Sequence, residues 1–481
     1  MSKQIFERPT ITRLTPGVPS KHGAGTIVAP MPLIDGVKVD DMIDRYGSPL
    51  YIFSERTIRK GMEDIKRAFS LRYPKVQMAW SYKTNYLDSV CRIFHQEGSW
   101  AEVVSGFEYD KAVRNGVKGD NIIFNGPGKS ADDLEKAVRN GSFIHIDHID
   151  ELFMLSDICQ KKNLEARVAI RVNMDIGIYP KWDRFGLNYE NGEAWDAVNR
   201  IMLNPKLKLT GLHTHIGTYI ISVDAYKVAA TKLSDLASRI AQKFDHYISY
   251  IDMGGGFASK NTLRGAYLSG EDTTPSFDEY AEAITSAIIN SSIKPDKLPT
   301  LILETGRALI DDAGHIAGSV VAIKRLSDGR RATIVDTGVN LLFTSFWYDH
   351  KIHPVHNHSG LVEETTIYGP LCMNIDVIRP SLMFPAMKHG DRFVITRTGA
   401  YNNTQWMQFI TTRPNVVLID MNREVHVIRR AEKLDYIVEN EVIPDYLSEA
   451  GSRKPEVEEL RVEPNEVSSA KPNPASAGPE V

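Results

Sequence analysis

Residues 121–147 read NIIFNGPGKSADDLEKAVRNGSFIHID. Two short runs, "NIIFNG" and "SFIHID", are rich in Ile and Phe and bounded by polar or glycine-containing turns, as buried strands are. Between them "SADDLEKAVRN" spaces its apolar residues by three and four, the period of an amphipathic helix. Ser130 opens that helix as an N-cap, with Asp133 three residues on. A strand, a helix and a strand in this order imply parallel pairing. Gly128-Lys129-Ser130 mimics the end of a phosphate-binding loop, but the glycine needed five residues earlier is Ile123, so a strand–turn–helix cap is the simpler reading.

The same alternation extends outward from about Gly47 to Arg307. Six further strand candidates are "QMAWSYK", "WAEVVS", "ARVAIRVN", "LTGLHTHIG", "ISYIDMGG" and "TLILETG". Eight such units over roughly 250 residues match a (β/α)8 TIM barrel, with a doubly wound open sheet as the alternative. After Arg307 the texture changes. "GSVVAIKRL", "RATIVDTG", "DRFVITRTG" and "NVVLIDMNREVHVIRR" predict antiparallel strands with hairpin turns. The expected organisation is a barrel over 46–307 and a mostly-β domain from 308–446 joined by 1–45. A disordered tail over 447–481, rich in Pro, Glu, Ser and Ala, completes it.

The 481 residues carry a formal net charge of −4, with 42% apolar and 25% charged residues, which gives no electrostatic footprint for nucleic acid. The N-terminus lacks an apolar signal core, and no run is long enough to span a bilayer. Cys91, Cys159 and Cys372 are too few and too scattered for a disulfide scaffold or a zinc site, and a reducing, cytoplasmic setting is expected.

Barrel active sites form at the C-terminal ends of the strands. There the sequence places Lys83 after strand one and His213, His215 and Thr218 after strand six. Gly254, Gly255 and Gly256 follow strand seven, and Glu304 and Arg307 follow strand eight. Each group has a plain alternative. A lysine snorkels, a histidine is structural, three glycines are a turn, and Glu with Arg is an ion pair. Together they supply a reactive amine, an aromatic ring, an anion nest and a carboxylate, the set that pyridoxal 5′-phosphate (PLP) requires.

At these residues the chain resembles a family. "YKTN", "EVVSGFEY", "HTHIGT", "DMGGGF", "ETGR", "YGPLCMNID" and "GAY" look like the fold-type III PLP-dependent decarboxylases, typified by diaminopimelate decarboxylase, with ornithine and arginine decarboxylases as relatives. The resemblance runs from about Gly47 to Pro414 and implies an alanine racemase-like PLP-binding barrel plus a C-terminal mostly-β domain. It implies Lys83 as the Schiff-base lysine, Glu304 on the pyridine nitrogen and His215 on the ring face. Thr218, Gly254, Gly255, Gly256, Arg307 and Tyr401 would hold the phosphate, with Glu108 near the cofactor. Cys372, within a pattern ending at Asp376, would act as a proton donor in the partner's site. The implied state is an obligate homodimer with shared active sites, taking a small amino-acid substrate, with no nucleic acid and no membrane.

Two positions depart from the family pattern. Met373 stands where diaminopimelate decarboxylases carry Glu, and Thr344 where they carry Arg, while Tyr348 is retained. Losing two charge-assisted contacts, each worth about 1.5–3 kcal/mol, would erode affinity for a zwitterionic distal group. The expectation is intact decarboxylation chemistry with a rewritten distal pocket, lined by Thr344, Tyr348, Met373 and Asp376. The expected substrate is meso-diaminopimelate (giving L-lysine) or a related amino acid, as in a natural-product or siderophore pathway. A PLP-dependent racemase is the alternative, and a non-catalytic PLP carrier would lack the β domain. His350, His353, His356 and His358 have metal-like spacing, but no metal is expected.

Overall fold

In the computed structural model, which describes residues 28–358 and 362–448, eight parallel strands close into a barrel. They are β1 (Val76–Ser81), β2 (Trp100–Val103), β3 (Ile122–Phe124), β4 (Phe143–Ile146), β5 (Ala166–Asn173), β6 (Leu207–His213), β7 (Tyr250–Asp252) and β8 (Thr300–Leu303). Each pairs with the next, and β8 returns to β1 with Leu301 opposite Val76. Helices lie between most of them. Ala131–Arg139 starts where the sequence puts it, with Ser130 Oγ accepting from Asp133 N at 3.1 Å. The lysine of the phosphate-loop mimic is buried; Lys129 Nζ donates to Gly126 O, His145 O and Glu151 Oε1 at 2.6–2.9 Å.

Side chains alternate across a strand, so every second residue enters the barrel. The lower interior is apolar, with Ala79, Ile123, Ala169, Tyr250 and Ile302 packed together. Gly211 is forced there, because a Cβ would meet the Tyr250 ring at 2.4 Å. Two residues further along each strand the inward position is polar and buried. This layer is Ser81, Glu102, Asn125 and His145, then Arg171, His213, Asp252 and Glu304.

The second sheet is built on β9 (Gly314–Arg325), which pairs antiparallel with the strands Leu50–Ser54, Arg331–Val335 and Arg392–Thr396. Two expectations are corrected. Leu50–Ser54, inside the stretch assigned to the barrel, belongs to this sheet. The sheet is also mixed: Arg331–Val335 pairs parallel with Val362–Tyr368, and Leu50–Ser54 pairs parallel with Val416–Ile419. Strands that reach a sheet from distant parts of the chain are not tied by a hairpin, so they are free to run parallel. The helix Val39–Tyr46 packs Val39, Met42 and Ile43 against Ile52, Val394 and Val417. Residues 433–448 form a separate unit with two short helices, Leu434–Val438 and Asp445–Ser448. The tail expected over 447–481 lies outside the described residues from 449 onward. Among the described residues no helix is long and apolar enough to cross a membrane.

Candidate active site

The polar layer opens upward into a cavity of about 910 Å³ at the C-terminal ends of the strands. Lys83, the next inward position after Ser81, reaches into it. Its Nζ donates to both carboxylate oxygens of Glu102, at 2.7 and 2.6 Å. Burial lowers the pKa of this ammonium, but Glu102, then Glu304 and Tyr401, more than offset that and leave it raised. Desolvation alone would favour the neutral amine. The structure instead supplies a carboxylate that holds the proton on Lys83.

Glu304 is buried and accepts from Asn125 Nδ2 at 2.5 Å. Burial, reinforced by the neighbouring Asp252 and Glu102 charges, holds its carboxyl well above the usual range. Asp252 Oδ1 accepts from Gly254 N at 2.8 Å, and burial raises its pKa as well. His213 Nδ1 lies 3.5 Å from Asp252 Oδ1 and has no hydrogen-bond partner. Burial, followed by Arg171 and Lys83, keeps that imidazole neutral. His215 is likewise neutral, through burial and then Lys83; its Nδ1 accepts from Gly255 N at 3.1 Å.

Arg307 enters from the first turn after β8. Its guanidinium lies 4.6 Å from the Tyr401 ring centroid and 5.1 Å from that of Tyr348, and its buried Nη1 has no hydrogen-bond partner. Thr218 and Gly256 line the cavity beside it. Gly254 (φ +63°) and Gly256 (φ +88°) need the left-handed region, and a Cβ on Gly256 would approach Gly217 O to 2.3 Å. Gly254 and Gly255 shape the turn from behind. The donor set fits PLP: an unpartnered buried guanidinium suits a phosphate, a buried carboxyl suits a pyridine nitrogen, and an amine stands in the same cavity.

The other expected residues lie apart. Glu108 does not line the cavity; it occupies the first turn of the helix Gly106–Arg114, and its carboxylate accepts from Val104 N at 2.8 Å. Burial pushes its pKa up to about 7. Of the four distal-pocket residues only Tyr348 lines the cavity. Thr344 is in the core, its Oγ1 3.0 Å from Asn402 Oδ1 and 2.9 Å from His350 Nε2. Asp376 is a buried brace whose carboxylate accepts from Val339 N and Leu371 N at 2.8 and 2.7 Å. Met373 is half-buried and Cys372 exposed, both outside the cavity. The four histidines are scattered among separate partners. His350 pairs with Thr344, His353 with Ala29 O, His356 with Asp40, and His358 lies nearest Asp391.

Several cavity residues were not singled out from sequence: Glu102, Asn125, Arg171, Tyr179, Trp182 and Trp347. The first three carried a signal, since each sits two residues after an inward residue of the lower layer. Trp182 and Trp347 stand on loops and carried none.

The comparisons agree with this geometry. The family model for the pyridoxal-dependent decarboxylases, pyridoxal binding domain, matches residues 55–311, more than half of the chain. Diaminopimelate decarboxylase of Aquifex aeolicus is 28% identical over 422 residues, covering 84% of this chain and 94% of that protein. The Bacillus subtilis enzyme of the same name is 27% identical, covering 84% and 94%. A solved structure of diaminopimelate decarboxylase from M. jannaschii superposes with a TM-score of 0.80 at 25% identity, covering 86% of this chain and 96% of that one. The same enzyme has been solved with L-lysine. A PLP-binding barrel with a second β-rich domain, a lysine in its cavity and a family match across the barrel lead to one assignment: the chain belongs to the pyridoxal-dependent decarboxylases, as a diaminopimelate decarboxylase-like, PLP-dependent amino-acid lyase.

Proposed function

We propose that the protein removes the α-carboxylate of an amino acid in this cavity, as a relative of the diaminopimelate decarboxylases with an altered distal specificity. The observation that carries the reading is one cavity lined by Lys83, the buried carboxyl of Glu304 and the unpartnered guanidinium of Arg307. Glu304 would face the pyridine nitrogen and His215 the ring. Arg307, Thr218, Tyr401 and the turn Gly254, Gly255 and Gly256 would hold the phosphate, with Glu108 bracing the loop behind. When bound, PLP supplies an electron-poor ring that accepts the electron pair left at Cα as carbon dioxide departs.

Lys83 must lose a proton before its nitrogen can act as a nucleophile, and Glu102, bonded to it through both oxygens, is the base within reach. Cys372 of the partner subunit would return a proton to Cα. Its exposure, outside the cavity of its own chain, supports delivery to a neighbour's site and hence an obligate homodimer. Asp376 would position that loop. The buried, unpaired Cys91 and Cys159 support a reducing, cytoplasmic setting. At the distal end Thr344 is committed to the core and Met373 is apolar, so meso-diaminopimelate would lose two charged contacts.

The test is carbon dioxide release from a panel of α-amino acids by purified, PLP-loaded protein. Release from at least one supports the reading. Deuterium exchange at Cα with no carbon dioxide would overturn it in favour of a racemase.

A further inference from the structure

The outer part of the cavity differs in chemistry from the floor. One wall is the loop 174–186, which carries Tyr179, Trp182 and Phe185. It is pinned: Tyr179 Oη accepts from Ile221 N and Ser222 N at 3.3 and 3.2 Å. The Trp182 ring lies 5.4 Å from His215 and 5.6 Å from Phe185, so it continues the aromatic surface that begins at the floor. A second wall carries Phe346, Trp347 and Tyr219, the last 5.3 Å from the Tyr348 ring.

Among the described residues lining the cavity, Glu102 and Glu304 are the only acids. Both are engaged at the floor, Glu102 by Lys83 and Glu304 by Asn125. No carboxylate of the described chain therefore remains in this cavity for the far end of a substrate. The charged group on the outer lining is a cation, Arg264, whose nearest carboxylate, Asp349, is 4.0 Å away and closer to Arg379 at 3.4 Å. Among this chain's own lining residues, a distal ammonium would meet this guanidinium and find no counter-charge.

We infer that the cavity selects an α-amino acid with a large, flat, uncharged side chain, and that Trp182 is the main specificity-determining residue. This rests on the reading of the cavity as an amino-acid decarboxylase site. A basic side chain is disfavoured by Arg264. An aromatic one gains stacking on Trp182 and Trp347 and leaves no buried group unpaired.

The experiment compares kcat/KM of the PLP-loaded protein for L-phenylalanine and L-tryptophan with that for L-ornithine, L-lysine and meso-diaminopimelate, by carbon dioxide release. The better aromatic substrate should exceed every diamine by about tenfold or more. Trp182→Ala should lower the aromatic value by about tenfold or more, chiefly through KM, and Trp182→Phe should restore most of it. The visible absorbance of bound cofactor reports that each variant is folded and loaded. A diamine turned over best would overturn the inference and leave the decarboxylase reading standing. So would a Trp182→Ala variant that changes aromatic and diamine kcat/KM equally. Loaded protein that releases carbon dioxide from none of these or any other amino acid would overturn both.

Discussion

The floor of the cavity and its mouth are built by different parts of the chain. The floor is a ring of side chains fixed by strand register: Glu102, Asn125, His213 and Glu304 each stand two residues beyond an inward residue of the layer below. The mouth is made by loops, with Trp182 after β5 and Trp347 between strands of the second sheet. The floor holds buried ionisable side chains, whereas the mouth is aromatic with one loosely paired cation. The contrast separates the two regions, because a change in either loop leaves the ladder that aims Lys83 untouched. The two can therefore be broken independently.

The largest effect is expected at the floor. Lys83→Ala should abolish both turnover and the yellow absorbance of bound cofactor; a fully yellow variant would remove Lys83 from its role. Cys372→Ala should bind cofactor normally yet lose about 10²–10⁴-fold in turnover, with more abortive transamination. Wild-type kinetics and products would take Cys372 out of the mechanism. Glu102→Gln tests the base. Burial lowers the pKa of Lys83, and Glu102 leads the influences that raise it. Without that charge the amine sheds its proton at lower pH, so the rate of cofactor loading should reach its plateau at lower pH than in the wild type. An unchanged profile would contradict the pairing.

At the distal end, Thr344→Arg should destabilise the fold by about 1–3 kcal/mol, lowering the melting temperature by several degrees, because Thr344 is 1% exposed and hydrogen-bonded on both sides. An unchanged melting temperature would show that this turn has room the packing denies. Met373→Glu alone, which restores the family's carboxylate without disturbing the core, should raise diaminopimelate turnover, and no gain would count against a rewritten distal end. The smallest effect concerns Glu108. Burial raises its pKa from 4.5 to about 7. Between those values the folded chain keeps a proton that the unfolded chain has lost, so this group makes stability fall as pH rises through the window. Glu108→Gln should flatten that slope by at most about 1.4 kcal/mol per pH unit in denaturation curves. Identical slopes would show that Glu108 titrates normally.

Much of the floor was legible because two periodicities coincide. Apolar runs gave the strands, and the period of two carried their inward face to Lys83, His213, His215 and Glu304. The same rule, applied through "WAEVVS" and "NIIFNG", would have reached Glu102 and Asn125. What escaped depends on contacts between distant parts of the chain. "LYIFS" at Leu50–Ser54 is buried throughout, so its composition says strand but not which sheet. Val362–Tyr368, "VEETTIY", hides a strand beneath charges, and Trp182 and Trp347 meet the cavity only through loop geometry. Thr344 and Asp376 were aimed at the substrate by motif position, yet their side chains brace the core.

The most direct test of a decarboxylase floor beneath an aromatic mouth without a free carboxylate is lysine formation from meso-diaminopimelate by PLP-loaded protein, followed by mass spectrometry beside carbon dioxide release from L-phenylalanine and L-tryptophan. The expected result is release from an aromatic amino acid, with diaminopimelate turned over about 10²-fold less efficiently for want of its charged contacts. Robust lysine formation exceeding both aromatic substrates would contradict it.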